Sequence, residues 1–550
     1  NGMKKKRLTT AESGLNKGFY LTVVCCALMG AALFFLLFGG GVLNPTETRW
    51  VRFGGGDNFQ HYIGWRFYRN APWIRYLTFY RNLNYPIGST TVATDSNPLA
   101  AMIFKVFRRT LPKEFQYNGI WLLLSFALSG FFAGCIGYRL TGRSWGAFLF
   151  TGFALSNPVP IQRALIHDSL AGHWLILAAI WLALNRRDRR TIYAWFGLVF
   201  AALGIHVYFL PMLLFILTLE LIALSGEKAS WRYVCGLAVA CAGAVGLGYL
   251  VFGYGLIEGG TASFGELSLN LNAFFNPDGA SRILPARPTF PLQYEGFNYW
   301  GLGVLLLAVL SLAFAEFRAF RRWLPFSIPT VGLILFAVSN RIAFDRVVLV
   351  DIRLSAELES IFSIFRSSGR LVWPLFYLCL TWVFRAFARR KREPVGRWRA
   401  VGGWALLIAA FALQLYDLSG FYRSVSDRVR QVMTHEAPER IDATAWSEIL
   451  AAADSLELTE GASELKDAFA MLAADLGLTI NKGSAARGVR PVLGGDQVPV
   501  ETRLESGEFE EGAVYILLNE AARELAERRY PEAYRAIGEI GYLDFDESSF

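Results

Sequence analysis

The chain has 550 residues, of which 54% are hydrophobic, with a mean hydropathy of +0.34 and a formal charge of +9. That apolar share exceeds the roughly 45–50% of soluble domains, which excludes an ordinary soluble globular protein. From Phe421 onward acidic residues outnumber basic ones 25 to 13, out of totals of 45 and 54, so the more apolar part before it holds 20 acidic and 41 basic residues. The basic excess therefore belongs to membrane-flanking loops and does not argue for nucleic acid.

Apolar windows of about 20 residues recur, the length that crosses a hydrocarbon core of about 30 Å. The alternating pattern of a barrel is absent. The expected fold class is mainly α: a polytopic transmembrane helical bundle of about eleven spans, followed by a small extracytoplasmic α/β domain. The spans fall near 19–40, 117–138, 144–157, 169–185, 191–206, 208–225, 232–254, 298–316, 324–339, 370–388 and 399–416. The first is longer than a signal-peptide core and lacks a small-x-small cleavage site, so it is expected to remain as a span. Three regions follow: a cytoplasmic N-terminus at 1–18, a transmembrane module at 19–416 and an extracytoplasmic domain at 417–550.

Orientation comes from the basic loops. Lys4 to Arg7, Arg139/Arg143, Arg186 to Arg190, Lys228/Arg232, Arg318/Arg321/Arg322 and Arg389 to Arg392 fall on one side, which the positive-inside bias makes cytoplasmic. Four long segments are then outer ones. The first, 41–116, contains two stretches too short or too charged to span, Asn58 to Arg69 and Pro98 to Arg109. Both read as helices lying in the membrane interface. Outer loops at 255–297 and 340–369 and the acidic tail complete the set. In the tail, Ala445 to Asp454, Ala462 to Leu476 and Asn519 to Arg529 read as helices, and Ala513 to Leu518 and Gly541 to Phe545 as strands. The six cysteines all fall in apolar segments without metal-ligand spacing and read as core-packing residues.

Ionisable groups at membrane depth cost about 2.5–3.5 kcal/mol on insertion scales, so those the chain keeps there are functional candidates. His61, His167, His173 and His206 are four of only five histidines, and all lie near outer span ends. Asp57, Asp95, Arg163, Asp168, Glu295, Arg366 and Arg370 share that level. Asp57 follows three glycines and stands four residues before His61, which predicts both on one helical face. It suits a general base for a hydroxyl; a plain N-cap is the structural alternative. Asp95 and Asn97 precede Pro98 and read as helix-start residues or as groups that orient a ligand. Asp57, Asp95 and Asp168 would also suit a hard divalent ion, although the chemistry requires no cofactor. Arg163, with His167, Asp168 and His173 nearby, suits a phosphate. Arg366 and Arg370, four apart at a span start, are expected to point the same way and clamp a phosphate along with backbone amides. Glu295, Asn298 and Tyr299 open another span and suit a sugar. Asp57 is expected to face a lipid-accessible chamber containing those arginines.

Gly56-Asp57-Asn58-Phe59-Gln60-His61-Tyr62-Ile63-Gly64-Trp65, Thr94-Asp95-Ser96-Asn97-Pro98-Leu99 and Phe365-Arg366-Ser367-Ser368-Gly369-Arg370 resemble the GT-C superfamily of membrane glycosyltransferases. Within it the chain is most similar to bacterial enzymes that include a pilin arabinofuranosyltransferase. The resemblance covers residues 19–416. It implies Asp57 in the catalytic acidic position, a polyprenyl-phosphate monosaccharide as donor, arabinofuranose among the candidate sugars, and a hydroxyl of an extracytoplasmic glycan, lipid or pilin-like protein as acceptor. It also implies a multi-pass protein of the bacterial inner membrane with its active site and C-terminus on the extracytoplasmic side. The acidic pair common in that first loop is replaced here by Asp57-Asn58, and the Trp-Trp-Asp signature of oligosaccharyltransferases is absent. A flippase for a lipid-linked substrate is the alternative, but it would be expected to show matched half-repeats, and none is visible. A scaffold that presents its tail is a third reading.

Overall fold

The computed structural model describes residues 17–185, 188–226, 230–258, 264–312, 320–389, 397–435, 440–492, 494 and 497–545. The basic residues Lys4 to Arg7, Arg186-Arg187, Lys228, Arg318 and Arg390-Lys391-Arg392 lie outside them. All eleven apolar segments contain helix. Among the described residues, five helices are long and apolar enough to cross a membrane: Lys17–Phe38, Asn118–Thr141, Phe209–Gly226, Trp231–Val251 and Gly402–Thr434. Four shorter apolar ones accompany them, Ser144–Leu155, Asp168–Ala183, Leu302–Leu312 and Leu324–Val338. Eleven full spans are thus not what the described helices show by length.

Packing divides the chain into two compact units: Asn1–Glu47, Tyr117–Val245 and Gly259–Met433 in the first, Thr48–Gln116, Gly246–Glu258 and Thr434–Phe550 in the second. This differs from a linear cut at 417. The tail shares its unit with the first long inter-span segment.

In the first unit the helices pack through small residues. Gly30 on Lys17–Phe38 lies against the backbone of Phe126, and Gly130 on Asn118–Thr141 lies against that of Cys26. A Cβ at either glycine would collide with a carbonyl. Gly130 and Gly134 are four apart, as are Cys26 and Gly30, so each helix offers a small-xxx-small face. Lipid tails are as apolar as leucine, so close backbone contact of this kind is what holds such helices together. The longest helix, Arg397–Thr434, carries a fully buried carboxylate, Asp417. It accepts from the Tyr299 hydroxyl at 2.7 Å, the Leu302 amide at 3.0 Å and the Ser281 hydroxyl. Asp417 thereby fastens the 281–302 segment, which leads into the Leu302–Leu312 helix. A two-stranded hairpin, Arg341–Phe344 with Val347–Asp351, and the helix Ala356–Phe362 fill the 340–369 segment.

The second unit is built on a five-stranded sheet with spatial order Thr479–Ile480, Ser455–Leu458, Ala513–Leu517, Ile540–Leu543, Tyr534–Ile537. The first three strands are parallel and the last two form an antiparallel hairpin. Ser463–Leu476 packs against Asn58–Asn70, so the helix predicted to lie in the interface is a core element with ten buried residues. Pro98–Val106 does keep an apolar exposed face, with Ile103 and Val106 open. Sheet-like bonds run from the tail to the earlier segments: Tyr85 to Ile480 at 2.8 Å, Ile480 to Asn82 at 3.0 Å and Ala486 to Ala93 at 2.8 Å, amide to carbonyl in each case. The Arg66 guanidinium adds an ion pair to Asp475 at 2.5 Å.

Candidate active-site clusters

In the first unit, Asn157 caps the helix Pro158–Ile166, accepting from the Val159 amide at 3.0 Å, with Pro158 in the first turn. That short helix carries Arg163. The chain then leaves helical geometry at His167 (φ −161°, ψ 77°) and makes a 3-10 turn over Asp168–Ala171 before the helix that begins at Trp174. The break keeps His167, Asp168 and His173 off a common helical face.

Arg163 and Arg370 converge on one carboxylate, Glu295. Arg163 lies 3.0 Å from Glu295 Oε2, and Arg370 reaches the same oxygen through two nitrogens, each at 2.7 Å. All three side chains are buried. Burial pushes the Glu295 carboxyl up, but Arg370 and then Arg163 pull it further down, helped by the Arg370 hydrogen bond and by His167, to about 2. Two guanidiniums therefore share one fully ionised carboxylate. Aromatic rings line the group: Arg370 lies 5.0 Å over the Tyr208 ring and Arg163 5.7 Å over Trp373. Buried cation–π contacts of this kind hold a guanidinium in place without neutralising it.

The histidines surround this core. His167 and His206 meet edge to face at 5.1 Å, and His206 Nδ1 accepts from the Tyr208 amide at 3.3 Å. His173 stacks on Trp373 at 4.7 Å and bonds Tyr377 through Nδ1 at 3.0 Å. Its Nε2 is buried without a hydrogen-bond partner. Asn118 donates to the Asp168 carboxylate at 2.5 Å. Asn298 follows Glu295 in the same loop. It is buried at 1% exposure, and neither its amide nitrogen nor its oxygen has a partner. Leaving both unmade costs on the order of 1–3 kcal/mol per group, which marks a place where a polar ligand or water belongs.

Arg366 and Arg370 do not share a helix face as their spacing predicts. Arg366 follows the 3-10 turn Ser363–Phe365 and Arg370 lies in the next, Ser368–Val372; between them Ser367 leaves helical geometry (φ −80°, ψ 57°), and its amide donates to the Tyr208 hydroxyl at 2.8 Å. Arg370 is buried on Glu295, whereas Arg366 is only half-buried. Glu295 is engaged by the two arginines instead of standing ready for a sugar, and Tyr299 is spent on Asp417.

The second unit holds the other predicted residues. Gly55 and Gly56 have φ values of 88° and 69°, a turn that glycine makes without strain. Asp57 follows at the N-cap of Asn58–Asn70 but makes no side-chain cap hydrogen bond. The His61 amide bonds the Asp57 carbonyl at 3.1 Å, so the two stand one helical turn apart, but Asp57 is exposed while His61 is buried, and Asp57 is not enclosed as expected. Asp95 and Asn97 both adopt left-handed backbone, φ 52° and 47°, which short polar residues tolerate best. Asn97 caps Pro98–Val106 by accepting from Ala100 at 3.3 Å. The turn is seated on the preceding helix, since the Ser96 hydroxyl donates to the His61 carbonyl at 2.7 Å. Gly64 makes room for it, because a Cβ there would strike the Thr94 and Ser96 hydroxyls.

Sequence reading missed Tyr208, Trp373 and Tyr377, whose types are ordinary in apolar segments. It also passed over Asp417, a carboxylate at the end of an apolar run and a visible signal.

The architecture is that of a helical membrane protein with a small mixed-sheet domain. The chain belongs to the family described as "Domain of unknown function (DUF6311)", whose model matches residues 27–419, and the DUF6311 C-terminal domain matches residues 445–543. No curated protein matches it. Among solved structures, the chain is similar to the oligosaccharyltransferase of Archaeoglobus fulgidus in its apo form, at 13% identity and a TM-score of 0.44. The match covers 86% of this chain and 65% of that one, so this chain spans less than two-thirds of that enzyme's length.

Proposed function

We propose that this protein is an integral-membrane glycosyltransferase of GT-C type that moves a monosaccharide from a polyprenyl-phosphate donor to a hydroxyl of an extracytoplasmic acceptor. The observation that carries the proposal is the buried Arg163–Glu295–Arg370 group, in which cationic side chains outnumber the carboxylate that fixes them. A fixed, dry, net-positive group suits a phosphate leaving group, because it is already oriented when charge develops. In this scheme the acceptor oxygen forms a bond to the anomeric carbon and gives its proton to the Asp57 carboxylate. The bond from that carbon to the phosphate oxygen breaks, and its electron pair leaves with the lipid phosphate, which the guanidiniums stabilise. Asn298 supplies an amide to the bound donor.

Asp57 is assigned as the base as an exposed carboxylate at the start of the Asn58–Asn70 helix, the type of group that takes a proton from a hydroxyl. Arabinofuranose is one candidate sugar, and the bacterial inner membrane, with chemistry on its outer face, is the proposed location. The test is sugar transfer from a labelled polyprenyl-phosphate donor in membranes carrying wild type, Asp57→Asn or Arg370→Gln. Both variants should insert normally and lose transfer. Wild-type rates in Asp57→Asn would remove the base, and wild-type rates in Arg370→Gln would remove the phosphate grip.

A further inference from the structure

Within the second unit a cavity of about 240 Å³ opens between the Asn58–Asn70 helix, the 81–85 segment and the turn after Ser463–Leu476. No residue of the clusters described above lines it. Its floor is apolar, with Phe67, Pro72 and Leu478, and its polar groups include Arg66, Arg81 and Asn82. The volume falls below the roughly 300–1,000 Å³ of pockets for drug-sized ligands, so it fits a single sugar ring or something smaller.

Two polar atoms on this wall are unmet. Arg66 is 2% exposed. It gives one terminal nitrogen to Asp475 at 2.5 Å and the other to the Tyr62 hydroxyl at 3.2 Å, while its Nε has no partner. Asn82 gives its amide nitrogen to the Phe67 carbonyl at 3.4 Å and leaves its buried Oδ1 without a donor. Arg81 is exposed at the rim, 5.2 Å over the Tyr85 ring, and brings a second positive charge. A ligand that completes this wall must accept from guanidinium and also donate to Asn82 Oδ1. Inorganic phosphate does the first well and the second poorly. A neutral sugar does the second but leaves Arg81 without a counter-charge. A hydroxylated carboxylate does both, and the apolar floor suits the C–H face of a pyranose.

We infer that this cavity binds an acidic monosaccharide unit of the hexuronate type. The inference goes beyond sugar transfer and does not depend on it, because binding here requires no lipid-linked donor.

The test is equilibrium binding of D-glucuronate, D-glucose and inorganic phosphate to the detergent-solubilised full chain, by calorimetry or saturation-transfer NMR, with no donor present. Glucuronate should bind saturably, with glucose and phosphate each about tenfold weaker or more, the scale of one lost charge-assisted hydrogen bond. Arg81→Gln and Asn82→Ala should each weaken glucuronate by about tenfold or more at an unchanged unfolding midpoint. Absence of saturable glucuronate binding, or wild-type affinity in both variants, would overturn the site. Phosphate binding as tight as glucuronate would overturn the saccharide assignment.

Discussion

Replacing Glu295 with glutamine removes the one negative charge from a buried group that holds two guanidiniums. Its carboxyl is drawn from an ordinary 4.5 down to about 2. By linkage that displacement is worth about 3 kcal/mol of stability at neutral pH. Removing one partner of a buried ion pair costs about 3–5 kcal/mol by an independent route, and the two agree in scale. Because the folded value is depressed, this contribution is fully present above about 4.5 and is lost as pH falls toward about 2. Wild type and Glu295→Gln should therefore differ most at neutral pH and converge on acidification. The assay is unfolding of the full chain in mixed micelles, followed by tryptophan fluorescence and combined with Arg370→Gln in a double-mutant cycle. A coupling energy above about 1 kcal/mol is expected for partners in contact. A Glu295→Gln variant within about 0.5 kcal/mol of wild type at pH 7, with no coupling to Arg370, would refute the reasoning.

Asp57→Asn should lower transfer by about 10²- to 10⁴-fold, the usual contribution of a positioned base, with no change in the unfolding midpoint; rates of labelled-sugar transfer check it. Glu457, buried on the Ser455–Leu458 strand, is pushed up to about 7, first by burial and then by Glu510. A raised carboxyl makes the fold most stable below about 4.5 and less so as pH rises through about 7, so Glu457→Gln should stabilise the full chain at pH 8 and make little difference at pH 4. Gly130→Val places a side chain against the Cys26 backbone and should cost about 1–3 kcal/mol or more in micelle unfolding. Asp475→Asn weakens the Arg66 pair and should speed proteolytic release of the tail, read as a shorter half-life of the intact band.

The helices were legible because their signal is mean apolarity over many residues, which survives any detail of packing. Boundaries in the tail were also close: Ser463–Leu476 and Ala513–Leu517 fall within a residue of their predicted ends, and Asn519 accepts from the Ala522 amide as the helix cap. The Ser455–Leu458 strand was not legible, because four residues are too few to show a period and it follows directly on a helix-like run. The hairpin at 341–351 was hidden inside a segment read as a loop. At the site, ionisable residues at expected membrane depth singled out Arg163, Glu295 and Arg370, and the structure buries all three. Their mutual pairing was not legible, since residues 163, 295 and 370 meet only through tertiary packing. Spacing misled where the backbone leaves helical geometry. Ser367, between Arg366 and Arg370, has φ −80° and ψ 57°, which breaks the helical register that their spacing implies.

Native mass spectrometry of the full chain with polyprenyl phosphate and with the matching polyprenol tests the central claim most directly. Arg370→Gln leaves Glu295 paired with Arg163, so the variant keeps a neutral core and isolates loss of the second guanidinium. The account predicts that wild type retains the phosphorylated lipid well above the alcohol and that Arg370→Gln abolishes the difference. Equal retention of the two lipids by wild type, or an undiminished preference in the variant, would contradict it.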